Sequence, residues 1–272
     1  MAAPRHATDW EALSLRLVFG ALAAVAIVFL VGPTVIMLLT SFTASQSLKF
    51  PPDGLSLRWY VALLDADQMQ AAAWNSLVVA FWTIALSVLL GTAAALGIAR
   101  SRSPLARACD VLFMSPLLLP ALAFGFAALI FIHKLGFAPS IPFLVLGHTV
   151  VCVPFVLRTT IAALSQLDPA LLDASQSLGA GGWRTFRRVT LPLIAPGLGA
   201  GAFLAFMASF DNVPVSLFLS DARTEVLPIH LWQIIETNLD VRAAAASGVL
   251  IVFTLLVMLL AERLAGLSRQ LR

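Results

Sequence analysis

Long apolar runs alternate along this chain with short charged connections. Six stretches are free of Asp, Glu, Lys and Arg for roughly 20 residues, the length that crosses a hydrocarbon core about 30 Å thick. They run from Leu17 to about Thr40, Ala71 to Ala99, Val111 to Ile132, Leu135 to Leu157, Val189 to Phe210, and Ala243 to Ala261. Only helices and closed barrels satisfy every backbone polar group in lipid, and these runs are continuous instead of alternating with period two. The first is too long, and too deep in the chain, for a cleaved signal peptide. The pattern predicts an all-α integral membrane protein with six transmembrane helices.

The runs are not uniform. Helix-perturbing residues fall at Gly32-Pro33 in the first, Pro116 and Pro120 in the third, Pro142 and Pro154 around the fourth, and Pro192 and Pro196 at the start of the fifth. Such breaks survive in lipid where neighbouring helices or a cavity satisfy the freed carbonyls. Gly197 and Gly201 have G-x-x-x-G spacing, which allows close helix approach. Polar side chains are few: Asn75 at the entry to the second run, His148 within the fourth, and Asp211-Asn212 at the exit of the fifth. Facing lipid would cost each a few kcal/mol, so they are candidates for a bundle interior or a solute path. For His148 an interhelical hydrogen bond competes with solute contact; for Asp211, pairing with a neighbouring arginine competes with attraction of a cationic solute.

Composition agrees with a lipid environment: of 272 residues, 60% are hydrophobic and 11% charged, against about 25% charged in soluble domains, and the mean hydropathy is +0.94. That is too little polar surface for a soluble globular protein. Cys109 and Cys152, the two cysteines, have no spacing for a disulfide framework or a zinc site. The net charge of +3 makes no dense basic patch, so nucleic acid is not an expected partner. Its distribution is informative. Twelve of the 17 basic residues (Arg5, Arg16, Arg100, Arg102, Arg107, Arg158, Arg184, Arg187, Arg188, Arg263, Arg269 and Arg272) fall on one side of a six-span topology, and eight carboxylates against five basic residues leave the other side at −3. The positive-inside rule makes the first side, with both termini, cytoplasmic.

Catalytic and nucleotide-binding patterns are missing. The chain has no G-x-x-x-x-G-K-[ST] phosphate loop, no H-E-x-x-H pair and no G-x-S-x-G elbow, and its four histidines lie in separate segments. A transport component or channel is expected, and any ATP-driven step belongs to another subunit.

The longest cytoplasmic connection, residues 158–190, has a pattern of its own. Leu164, Leu167, Leu171, Leu172, Leu178, Trp183 and Phe186 recur at roughly helical spacing; Asp168-Pro169 reads as an N-cap with proline at the first helical position, and Gly179 ends that helix. A second helix is expected from Trp183 to Val189, led into the membrane by Pro192. A helix-turn-helix held outside the bilayer suits docking of another protein, although a helix lying on the membrane surface has the same pattern.

These residues carry a resemblance. Asp173-Ala174-Ser175, then Gly179, then Val189-Thr190-Leu191-Pro192 after nine residues, resembles the E-A-A-x3-G-x9-I-x-L-P motif of ABC importer permeases, with Asp for Glu, Ser for the second Ala and Val for Ile. Pro154-Phe155, Arg158-Thr159, the stretch Trp183–Pro192, and Ser209-Phe210-Asp211-Asn212 followed by Val215–Leu219 are similar to the second membrane subunit of the spermidine/putrescine branch. Iron, thiamine and aminoethylphosphonate permeases look similar too.

The resemblance implies a type I importer permease in the bacterial inner membrane. It would work with cytoplasmic ATPase subunits that bind ATP and Mg, a second and related permease chain, and an external solute-binding protein, with no cofactor in this chain. The segment 158–190 would be its coupling element. Asp173 would pair with a basic ATPase residue, Leu171, Leu172 and Leu178 would fill an apolar groove, and Gly179 would permit the tight turn. Asp168, Ala174, Ser175, Trp183, Leu191 and Pro192 complete the element. Asp211 and Asn212 would be solute contacts, with His148 and Asn75 as further path candidates. The expected organisation is residues 1–70 (first span and external loop), 71–263 (permease core) and a tail, 264–272. A secondary transporter or channel would explain the six spans but not the patterned loop, and an intramembrane enzyme lacks its constellation.

Overall fold

A computed structural model describes residues 6–101, 103–238 and 240–265. Arg5, Arg102, Arg269, Arg272 and most of the tail lie outside the described residues. The described chain is helical with no strand, apart from an isolated bridge between Thr43 and Leu55. The helices are α1 His6–Ser41, α2 Arg58–Ala62, α3 Asp67–Ala99, α4 Pro104–Met114, α5 Ala121–Lys134, α6 Ile141–Ser165, α7 Pro169–Ser177, α8 Gly182–Thr185, α9 Leu191–Phe210, α10 Val213–Leu219, α11 Leu227–Asn238 and α12 Val241–Ala265. Residues 186–190, between α8 and α9, are π-helical.

Five helical segments are long and apolar enough to span: Leu13–Ser41, Asp67–Ala99, Ile141–Ser165, Gly182–Phe210 and Val241–Arg263. The third expected span needs correction. Instead of a straight helix over Val111–Ile132, the chain forms α4 with a 3₁₀ turn to Leu118, bends by 103°, and continues as α5. Pro120 is the cause: it restricts the preceding residue to extended backbone, where Leu119 lies at φ −84°, ψ 141°. The other prolines break nothing. Pro33, Pro154 and Pro196 lie inside continuous helices, Pro142 occupies a first-turn position whose amide has no intrahelical partner, and Pro192 follows directly on the π-helical segment within the continuous helix Gly182–Phe210. α6 also runs past Arg158 to Ser165, so part of the expected cytoplasmic loop is helix.

The chain forms two compact units. One comprises the chain to Asp65 with Thr237–Val252. In it the Ser41 hydroxyl lies 2.6 Å from the Tyr60 hydroxyl, and Gly248 gives α12 room to approach that pair. The loop between α1 and α2 is folded: Trp59 Nε1 donates to the Ser45 carbonyl at 3.1 Å, and Arg58 stacks 4.5 Å over the Trp59 ring.

The other unit comprises Ala66–Glu236 and the chain from Phe253 onward. Its centre is α3, α6 and α9 packed on one another, with α10 against α5 and α6. Lipid tails are as apolar as leucine, so such a bundle is held by close packing and interhelical hydrogen bonds more than by hydrophobic burial. The sequence supplies small residues for this purpose: α3 buries Ser76, Ala80, Thr83, Ser87, Gly91 and Ala95 at three- and four-residue intervals. A Cβ on Gly197 would lie 2.6 Å from Ala163 Cβ and 2.9 Å from the Thr159 carbonyl oxygen, and one on Gly201 would meet Thr159 and Val156. Gly197 and Gly201 are thus packing contacts. Rising numbers on α9 pair with falling numbers on α6, down to Ala205 with Cys152 and Ser209 with His148, so these two helices are antiparallel.

Candidate functional site

Two regions hold the residues singled out by sequence. The first joins α6 to α9. α7 starts where Asp168 Oδ1 accepts the Ala170 amide at 2.9 Å, with Pro169 at the first helical position. It ends where Gly179 takes φ +79°, which costs a side-chain-bearing residue roughly 1–2 kcal/mol. The amides of Leu178, Gly179 and Ala180 return to the carbonyls of Ala174, Gln176 and Ser175 at 3.1, 2.9 and 3.1 Å, so the last turn is satisfied internally. Asp173, Leu178 and Trp183 are exposed, Leu178 at 88% and Trp183 at 73%. The Asp173 carboxylate has no partner among the described residues.

Leu171 is also exposed, at 45%, but it borders the bundle. It lines a cavity of about 410 Å³ with Asp168, Thr159, Leu193, Pro196 and Gly197, on the bundle side of α7. Two residues along a helix turn a side chain by about 200°, so Asp173 points away from that cavity. Leu172 is half-buried between them, and Ala174 is exposed. Ser175 points inward, its hydroxyl 2.9 Å from that of buried Thr185. Leu191 and Pro192 open α9 directly after the π-helical segment.

The second region is the end of α9. Phe210 is its last residue, and Asp211 and Asn212 form the turn into α10. Asn212 caps α10, its Oδ1 accepting the Val215 amide at 3.0 Å, and it is buried. The Asp211 carboxylate is exposed and has no partner among the described residues; partial loss of water to the surrounding protein pushes its pKa above the ordinary carboxylate value. No arginine pairs with it among the described residues. His148, 1% exposed, has Nδ1 3.0 Å from the Ser209 hydroxyl and Nε2 3.0 Å from the Ser216 hydroxyl. Both ring nitrogens are engaged, so in this conformation His148 ties α6 to α9 and α10.

Asn75 is not gathered with these residues. Its amide nitrogen donates to the carbonyls of Glu225, at 2.9 Å, and Arg223, at 3.4 Å, while Ser76 accepts the Leu227 amide at 2.8 Å. Together they clamp the 220–226 connection onto α3, beside a cavity of about 510 Å³ lined by Asn75, Asp221, Arg223, Glu225 and His230. The connection is stiffened by Asp221, whose carboxyl accepts the Thr224 hydroxyl and the Arg223 and Thr224 amides and is held below its ordinary pKa, the Thr224 hydroxyl bond being the main cause. Ser209, Ser216 and Thr185 were not foreseen as partners. Isolated hydroxyls in apolar runs give no signal until the helices pair.

A helical bundle whose third span is broken, interrupted on one side by a capped hairpin with an exposed carboxylate, is the framework of a membrane transport component. The chain belongs to the family of binding-protein-dependent transport system inner membrane components, which it matches over residues 87–269. It is therefore a multi-pass membrane permease subunit and not an enzyme. The spermidine/putrescine transport system permease protein PotC of Escherichia coli (strain K12) is 26% identical over 250 residues, covering 92% of this chain and 94% of the relative. The putrescine transport system permease protein PotI of the same strain is 28% identical over 219 residues, 78% of each chain. Among solved structures, a bacterial ABC transporter involved in import of the acidic polysaccharide alginate superposes with a TM-score of 0.72 at 15% identity, over 95% of this chain and 98% of that one. The MetNI methionine ABC transporter, in an inward-facing conformation, gives 0.61 at 16% identity over 72% and 93%. These likenesses establish the fold.

Proposed function

We propose that this chain is one permease subunit of an ATP-driven importer of polyamines, or of similarly small cationic organic solutes, in the bacterial inner membrane. The observation that carries the ATP-driven part is the α7–α8 hairpin: a capped, internally satisfied element that leaves Asp173, Leu178 and Trp183 exposed, with no partner for the Asp173 carboxylate among the described residues. A cytoplasmic ATPase pair would hold it there and would supply the ATP and Mg sites that this chain's sequence lacks. Asp173 meets a basic group, Leu171, Leu178 and Trp183 supply exposed apolar surface for the groove, and Leu172 borders it. Closure of the ATPases moves the hairpins of this chain and a second, related permease, and the spans switch between inward and outward access. The ATPase must therefore bind the two states with different free energies. The charge distribution supports cytoplasmic termini, and an external solute-binding protein would deliver the solute opposite them.

The cationic solute is supported by two of the relatives' names and by the geometry at the end of α9. A helix C-terminus carries partial negative charge, and here it is followed at once by the Asp211 carboxylate, which has no ion pair among the described residues. Both favour an ammonium group. Asn212 and His148, fixed by their own hydrogen bonds, hold the turn that presents it.

The test is reconstitution of the chain with its ATPase, second permease and binding protein in liposomes, measuring ATP-dependent uptake of radiolabelled spermidine and putrescine. Asp211→Asn keeps size and removes charge, and should lower uptake about tenfold, as expected for one charge-assisted contact of about 1.5 kcal/mol. Wild-type uptake by Asp211→Asn would make the residue structural. Failure of an ATPase subunit to co-purify with the chain would sink the ATP-driven reading itself.

A further inference from the structure

The hairpin and its connection to α9 differ in stiffness. α7 is capped at both ends, and the Ser175 and Thr185 hydroxyls, ten residues apart in sequence, close it onto α8 at 2.9 Å, with Thr185 only 6% exposed. The Trp183 and Phe186 rings pack 5.6 Å apart one turn along the same helical segment. Immediately afterwards the winding changes. Phe186–Thr190 is π-helical, with the Leu191 amide donating to the Phe186 carbonyl five residues back, and the buried Thr190 hydroxyl has no partner among the described residues. π-helical turns are rare and occur mostly as single-turn interruptions, frequently at functional sites. Moving one hydrogen bond from the five- to the four-residue spacing takes one residue out of the turn, which rotates the preceding chain by about 100° and shifts it by about 1.5 Å relative to the helix that follows.

We propose that Ser175 and Thr185 are positioning residues for coupling: their hydroxyl pair makes the α7–α8 hairpin one rigid lever, and the π-helical segment Phe186–Thr190 is the joint through which its movement enters α9. Without the pair, α8 would yield before α9 turned, and part of each ATPase closure would be lost inside the hairpin. Ser175 stands where the permease motif has an alanine. An alanine cannot make this bond. The inference rests on the hairpin being the ATPase contact.

The experiment uses the full complex in liposomes and reads solute moved per ATP hydrolysed, in a Cys109→Ser background that leaves only buried Cys152 among native cysteines. Ser175→Ala and Thr185→Val should each lower that ratio by about fivefold, a coupling loss at the low end of those usual between linked sites, with the ATPase still assembled. Ser175→Thr and Thr185→Ser, which keep the hydroxyls, should hold the wild-type ratio. S175C/T185C should be uncoupled when reduced and recover when oxidised. Hydrogen exchange in the same complex should change across residues 186–191 on ATP binding and stay constant across 170–178. Wild-type ratios in both hydroxyl-deleted variants, an oxidised double-cysteine form that stays uncoupled, or exchange changes confined to 170–178 would each overturn the proposal. Loss of the ATPase from the wild-type complex would overturn the functional reading instead.

Discussion

At the scale of a residue, His148 shows how a polar group is accommodated in an apolar bundle. Its two ring nitrogens each have a serine hydroxyl at 3.0 Å, so neither is orphaned. Replacing it with leucine would strand the hydroxyls of Ser209 and Ser216, at roughly 1–3 kcal/mol for each group left unsatisfied. His148→Leu should therefore lower the melting temperature of the detergent-solubilised protein, and His148→Leu combined with Ser209→Ala and Ser216→Ala should recover most of the loss. A triple variant no more stable than the single would show that the hydrogen bonds are not what His148 contributes. Asp211 is the opposite case, a carboxylate without a partner among the described residues. One sequence signal, a polar side chain in an apolar run, thus led to a cross-helix tie in one place and an open charge in another.

At the scale of an element, the α7–α8 hairpin was the most legible part of the chain. Asp168-Pro169 and Gly179 marked the ends of α7 because cap and left-handed residues act through local backbone chemistry. Gly179→Val should destabilise the turn by at least about 1 kcal/mol and reduce ATP-dependent uptake, whereas Gly179→Asn, which tolerates positive φ better, should retain more of it. Equal loss from both would point to a steric clash with a partner instead of backbone strain. The π-helical joint was not legible, since nothing in Phe186-Arg187-Arg188-Val189-Thr190 distinguishes it from an ordinary first turn. The broken third span was half legible. Pro116 and Pro120 marked a perturbation, but the same kind of mark at Pro33, Pro154 and Pro196 left helices continuous.

At the scale of the whole molecule, the count of five spanning helices and one bent pair agrees with six expected crossings, and the family match fixes the class of protein. Orientation rests on charge alone: twelve of the 17 basic residues against an external side at −3. A reporter active only in the cytoplasm, fused after Arg272, should be active, and one inserted in the Thr43–Leu57 loop should be silent. The reverse result would invert the topology and move the α7–α8 hairpin out of reach of an ATPase.

The sequence by itself determined the medium, the apolar runs and the place of the capped α7–α8 hairpin. Those depend on composition, run length and local caps, which act over a few residues. The tertiary structure decided what each polar side chain does: His148 met Ser209 and Ser216, Ser175 met Thr185, Asn75 met the 220–226 connection, and the Asp211 carboxylate met no partner among the described residues. Such pairings join residues 10 to 150 positions apart, and in lipid, where apolar side chains do not select their neighbours, close approach at small residues such as Gly91, Gly197 and Gly201 is what chooses them.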